Sequence, residues 1–299
     1  MATPQTGIFA LGTMSHAYLE LDARPGADAA AMVRLVASLR EPRTTIGGVN
    51  LVAGFRPEIW AALVPGGTPV GLSGFTEPLV GADGYVLPAT QHDVVVWLAG
   101  AAYDVVFDVS RGVAFALAEH ATLAHEMVGW PYHRDLDLTG FIDGTENPTL
   151  VDATDAAIVE PGAPGEGGSV LLLQQWEHDG ASWDSLSIEN QEAAIGRTKL
   201  ASDELNPRPQ TSHVAMTDQD RFGRIFRRNI GYGTLTRHGT IFVGFSRDRR
   251  RLDAMLESMV ARGGGRRDHL TDFAHAVTGA YYFVPSSEAV ATFAAGSAP

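Results

Sequence analysis

Apolar residues recur along this chain in two rhythms. Short runs at 15–23 (SHAYLELDA), 93–100 (DVVVWLAG), 170–176 (VLLLQQW), 240–246 (TIFVGFS) and 281–286 (YYFVPS) predict strands, and DVVVWLAG is apolar enough for a buried one. Between them the spacing changes. Met32, Leu35, Val36 and Leu39 share one helical face within 28–39, and 105–120 predicts a helix after DVVVWLAG. Leu252, Met255, Leu256, Met259 and Val260 fall at i, i+3, i+4, i+7 and i+8, the signature of an amphipathic helix. The order repeats. DVVVWLAG, a helix and a strand near HEMVGW are followed, about half a chain later, by TIFVGFS, a helix and YYFVP. The expectation is an α+β fold of two similar halves, each a helix pair on an antiparallel sheet. Segment 151–168, rich in Gly, Pro and acids, predicts a loop or linker.

Composition narrows the class. With 299 residues the chain has room for two domains, and 45% hydrophobic with 19% charged residues is a globular mixture. No apolar run approaches the ~20 residues of a membrane span. The N-terminus shows no basic leader before an apolar stretch, so no secretory signal is expected. There is no cysteine, which excludes disulfides, thiolate metal sites, iron–sulfur clusters and a cysteine nucleophile. That fits a reducing compartment, and a cytoplasmic location is expected. A net charge of −13 argues against general binding of nucleic acid or anionic membrane. Yet RFGRIFRR (221–228) and SRDRRR (246–251) each hold four arginines. They mark either a pocket for an anionic ligand or a solvated basic face.

Three stretches could carry chemistry. GFIDGTENP (140–148) sets Asp143 between two glycines, after Phe141 and Ile142. It reads as a surface turn, or as a carboxylate mounted where backbone must approach a ligand closely. RIFRRNIGYG (224–233), if extended, puts Ile225, Arg227 and Asn229 on one face, offering several donors to one point; the alternative is an edge strand with solvated arginines. TSHVAMT (211–217) carries His213 in or beside an expected strand, but His133, His178 and His238 compete on equal terms. No HExxH pair, GxSxG elbow or Walker loop is present, and GGVN (47–50) and GEGG (165–168) are too weak as phosphate loops.

In these residues the chain resembles the dye-decolorising peroxidases, most of all the B-type bacterial subgroup, over nearly its whole length. GFIDGTENP is the most specific motif. PATQHDVVVWL (88–98), QQWEHD (174–179), QEAAIGRTK (191–199), TSHV (211–214), IFRRN (225–229) and DFAHAVTGAYYFVPS (272–286) support it. The resemblance implies a haem b enzyme of two ferredoxin-like domains, here 1–138 and 139–299, with the haem pocket mainly in the C-terminal half. It implies that hydrogen peroxide oxidises dyes, phenolics and other small organic donors in one-electron steps through a ferryl intermediate. His213 matches the axial iron ligand, Asp143 and Arg227 the distal acid and arginine, and Asn229 a distal asparagine. Arg197 is a candidate partner for a haem propionate, and Asp272 a candidate acceptor for the other ring nitrogen of His213. Two departures are Ala215-Met216, where the subgroup usually has a basic residue, and Gly231, where the family often has proline. Tyr232, Trp130, Trp176 and Trp183 could carry electrons from bulky donors or could simply be core aromatics. A homo-oligomer is expected, without a C-terminal tail for loading into a protein nanocompartment. The competing readings are a haem carrier or sensor, a haem-remodelling protein that releases iron, and a structural module that binds no haem.

Overall fold

A computed structural model of the chain describes residues 2–40 and 48–296. Gly47 of GGVN and the last three residues of the tail lie outside this range. The first half runs β1 (Ser15–Ala23), α1 (Ala29–Ser38), β2 (Val49–Phe55), α2 (Pro57–Leu63), a hairpin of β3 (Leu79–Val80) and β4 (Val86–Leu87), β5 (Val94–Gly100), α3 (Tyr103–Leu117) and β6 (Ala121–Trp130). The second half runs α4 (Leu150–Ala157), β7 (Ser169–His178), and short helices α5 (Gly180–Asp184), α6 (Ile188–Ile195), α7 (His213–Met216) and α8 (Gln219–Phe222). Then come β8 (Phe226–Arg227), β9 (Ile230–Gly233), β10 (His238–Ser246), α9 (Arg249–Met259), β11 (Ala274–Ala276), β12 (Ala280–Val284) and α10 (Ser287–Ala294).

Within the first half the strand order is β2-β5-β1-β6, and within the second β12-β7-β10-β9, all antiparallel. The two groups therefore share one order, with the first strand of each beside the third and fourth, as in a ferredoxin-like sheet. They are not separate sheets, however. β6 pairs with β9 through Gly129–Tyr232 and Trp130–Gly231, and β12 pairs with β2 through Phe283–Phe55. Eight strands thus close into a ring.

Closure explains why the strands read as near-continuous apolar runs. On β5, Val95, Trp97 and Ala99 face the ring interior, while Val94, Val96 and Leu98 pack under α1 and α3. On β7, Leu171 and Leu173 point inward, and Val170 and Leu172 lie under α9. Both faces are covered, so alternation of polar residues is lost. The interior also holds Glu20, 1% exposed, whose carboxylate accepts from the Tyr282 hydroxyl at 2.6 Å.

One expectation fails locally. The first part of the expected loop 151–168 is helical, because Thr149 caps α4 by accepting from the Asp152 N–H and alanines fill its buried face. The rest, from Val159 to Gly168, is a turn-rich connection held by its own backbone bonds.

Candidate functional site

A cavity of about 1230 Å3, part of it continuous with solvent, lies between β7, β10, α9 and the segments that carry the motifs. Its lining runs from Asp137 to Ala274, so the second half builds it. One part of the wall is apolar, with Leu172, Trp176, Ile225, Phe242, Leu252 and Met255. The other is polar, with Asp137, Asp143, Arg197, His213, Arg227 and Asn229.

GFIDGTENP is folded as a compact turn. Gly140 and Gly144 have φ of +83° and +78°, left-handed backbone that a side chain would strain. The Asp143 N–H donates to the Asp135 carbonyl at 2.7 Å, which aims the carboxylate into the cavity. Phe141 is buried beside Trp183 in a small cluster under the turn, which accounts for an apolar residue there. Asn147 holds the backbone of Arg227 with two hydrogen bonds, at 2.8 and 2.9 Å.

Alternation along 225–230 holds. Phe226, Arg228 and Ile230 are buried toward the ring interior, while Ile225, Arg227 and Asn229 line the cavity. The Asn229 side-chain oxygen accepts from the Val243 N–H at 3.1 Å, so its amide nitrogen points to Asp143 Oδ1, 3.2 Å away. Arg227 takes part in no ion pair among the described residues, and its buried Nε has no hydrogen-bond partner there. The two arginine clusters do not form one pocket. Arg228 turns inward and donates to the carbonyls of Ile8 and Ala10, and Arg251 donates to the Arg224 carbonyl at 2.6 Å. Arg247, Arg249 and Arg250 pair with Glu160, Asp253 and Asp248.

His213 opens the short helix α7 after an extended Ser212, rather than sitting in or beside a strand. Its Nδ1 donates to Asp268 Oδ2 at 2.7 Å, and Asp268 is fully buried. Burial disfavours the charged imidazole, but the Asp268 carboxylate outweighs it and holds the pKa above the ordinary value. His178 also lines the cavity, but its partner is the Thr240 hydroxyl at 3.3 Å, and burial pushes its pKa down to about 4. His133 is exposed, and His238 bonds the Thr234 carbonyl outside the cavity.

Asp272 is not the partner of His213. It ends the turn His269–Asp272, partly exposed, and pairs with Arg267. Asp268 is the residue that caps this turn, giving Oδ1 to the Leu270 N–H and Oδ2 to His213. The sequence offered only a capping acid 55 residues away, with no mark tying it to the histidine. Asp137 was missed as well. It lines the cavity and accepts from the Thr139 backbone and hydroxyl, and burial, then the nearby Asp143 charge, raise its pKa to about 6. Arg197 lines the cavity but is already engaged, with Glu146 at 2.9 Å and the Ser202 carbonyl at 2.9 Å. Among the aromatics, Trp176 lines the cavity, Trp183 donates to the Thr139 carbonyl at 3.0 Å within its cluster, Tyr232 packs in the ring interior, and Trp130 is exposed.

Comparison with known proteins agrees with this arrangement. The family model "Dyp-type peroxidase, C-terminal" matches residues 134–289. The dye-decolorizing peroxidase of Mycobacterium tuberculosis is 35% identical over 248 residues, 80% of this chain and 73% of that one. That of Rhodococcus erythropolis is 34% identical over 256 residues, 82% of this chain and 74% of the relative. Among solved structures, the dye-decolorizing protein from V. cholerae superposes with a TM-score of 0.87 at 30% identity, covering 96% of this chain and 98% of that one. A variant of Rhodococcus jostii DypB in complex with heme gives 0.85 at 32%, covering 97% and 96%. With a family model spanning just over half of the sequence and relatives a third identical across four fifths of it, the chain belongs to the Dyp-type peroxidase family.

Proposed function

We propose that the cavity holds haem b, with His213 as the axial ligand, and that the protein uses hydrogen peroxide to oxidise small organic donors such as dyes and phenolics. The observation that carries this reading is the Asp268–His213 pair. With Nδ1 given to a buried carboxylate, Nε2 is the ring nitrogen left for a metal, in a cavity shared with Asp143, Asn229 and Arg227. A carboxylate behind a ligating imidazole fixes its tautomer and raises its basicity. The rest of the wall fits the group: an apolar portion for the macrocycle, and the unpartnered Nε of Arg227 for an oxygen not yet present. Arg197, held by Glu146, would face a propionate with its remaining donor capacity.

When bound, haem supplies the iron that takes up peroxide and stores the oxidising equivalents. The protein moves the proton. The Asp143 carboxylate accepts the peroxide proton and returns it to the departing oxygen, acting as base and then acid. Asn229, itself anchored on Val243, orients that carboxylate from one side. The Arg227 guanidinium stabilises the negative charge that grows on the departing oxygen. A haem carrier would need His213 and Asp268 alone; the Asp143–Asn229 pair and the free Arg227 have a use only if peroxide is turned over. The absence of cysteine supports a reducing, cytoplasmic setting.

The test is reconstitution with haem. The wild-type chain should develop a Soret band and oxidise a dye on addition of peroxide. His213→Ala should lose most of the bound haem. A normal Soret band in that variant would remove the axial assignment.

A further inference from the structure

The outer face of α3 is apolar where a solvated helix would be charged. The inner face is accounted for by Val106, Val113 and Leu117, buried against the sheet. On the outer face Tyr103, Phe107 and Phe115 remain 57%, 46% and 85% exposed. They fall at i, i+4 and i+12, so they form one stripe along the helix. The rings of Tyr103 and Phe107 stack at 6.1 Å, and the Arg111 guanidinium fills the missing i+8 position, 5.8 Å from the Phe107 ring centre. Beside the stripe stands Gly112. A side chain there would meet nothing within 4 Å, so packing within the chain does not call for glycine. Glycine in a helix interior costs about 1 kcal/mol relative to alanine, and a close approach from outside would offset that.

We infer that this face of α3 is the contact surface for a second copy of the same chain, the two α3 helices packing antiparallel about a two-fold axis near the middle of the helix. The argument is self-complementarity. Under that axis Tyr103 falls against Phe115 of the second copy, ring on ring. Phe107 falls against Arg111 of the second copy, and Arg111 also comes beside the opposing Asp108. Within one chain Arg111 reaches Asp108 only loosely, at 3.8 Å, with both side chains largely exposed. The dimer gives each Arg111 a carboxylate and an aromatic face, and covers all three rings twice over. An isologous contact of this kind requires one patch that matches itself, and the order aromatic, aromatic, cation, aromatic with acids alongside does so. Gly112 lets the helix backbones approach at the centre.

The experiment uses the full-length, haem-loaded protein and does not depend on its catalytic reading. Light scattering coupled to size exclusion should give twice the 31.8 kDa chain mass or an even multiple of it. Arg111→Asp and Asp108→Arg, made singly, should each halve the assembled mass, because each places like charges across the axis. The double variant should regain the wild-type mass with the charges exchanged. A second variant reads geometry directly. In this cysteine-free chain, Tyr103→Cys with Phe115→Cys sets two thiols about 18 Å apart along one helix, too far for a disulfide within the chain. Mild oxidation should therefore yield a covalent dimer that a reductant dissolves. A monomeric wild type overturns the inference. So does an assembly whose mass ignores both single variants and whose double-cysteine form does not cross-link.

Discussion

Asn147 brackets Arg227: its side-chain oxygen accepts the Arg227 N–H at 2.8 Å, and its side-chain nitrogen donates to the Arg227 carbonyl at 2.9 Å. The residue closing GFIDGTENP thus sets the position of the arginine 80 residues on. The two motifs are one unit, and strand β8, only two residues long, is held from both sides by Asn147 and β10.

Asn147→Ala should therefore act at a distance from its own side chain. It strips a partner from one backbone donor and one acceptor, at a cost of about 1–3 kcal/mol in unfolding free energy. Displacement of Arg227 should lower peroxide kcat/KM by roughly tenfold to a hundredfold. Denaturant melts and steady-state kinetics check both, and unchanged values in both would show that β10 alone positions the arginine.

The identity of the carboxylate behind His213 is open to a paired comparison. Asp268→Asn keeps an oxygen to cap the turn at Leu270 but removes the charge facing Nδ1. Haem affinity, read by Soret titration, should drop roughly 10- to 100-fold. Asp272→Asn, which loses only contacts to Arg267, should leave the titration as in wild type.

Arg227→Ala should separate binding from turnover. The guanidinium has no structural ion pair to lose among the described residues, so folding and the Soret band should persist. Peroxide-dependent dye oxidation should fall by roughly 100- to 1000-fold, the range for removing one transition-state donor. Retained turnover would shift the charge-stabilising role elsewhere in the wall.

Asp137 predicts a pH signature in the haem-free protein. Its carboxyl titrates at about 6 when folded, against 3.8 ordinarily, because of burial and then the Asp143 charge. A raised carboxyl holds its proton better in the folded state, so stability falls as pH rises from about 4 to about 6. Asp137→Asn should abolish that fall. Relative to wild type, the variant should gain up to about 3 kcal/mol above pH 6 and nothing near pH 4, a ceiling that solvent at the cavity mouth reduces. Thermal melts across this range measure it, and a constant gap would contradict it.

Much of the scaffold could be read in advance, for a physical reason. SHAYLELDA and DVVVWLAG are strands at the expected positions because their apolar density suits a sheet covered on both faces. The alternation through 225–230 placed Arg227 and Asn229 together, since strand geometry leaves little choice. What could not be read depends on long-range pairing. Closure of the ring rests on Phe55–Phe283 and Gly129–Tyr232, residues that look like any others in strands. The His213–Asp268 bond joins two short turns through no shared periodicity. The helix at Leu150–Ala157 was obscured by the Gly- and Pro-rich stretch directly after it.

The joins between the halves are slender beside the pairing within them: one registered pair from β12 to β2, two from β6 to β9, against seven between β1 and β5. Local breathing should begin at those stitches, with amides near Phe55 and Phe283 exchanging before those at the centre of β5. The cavity walls, carried by β7, β10 and α9, sit to one side of both stitches, so the molecule can loosen along its midline while the pocket keeps its shape.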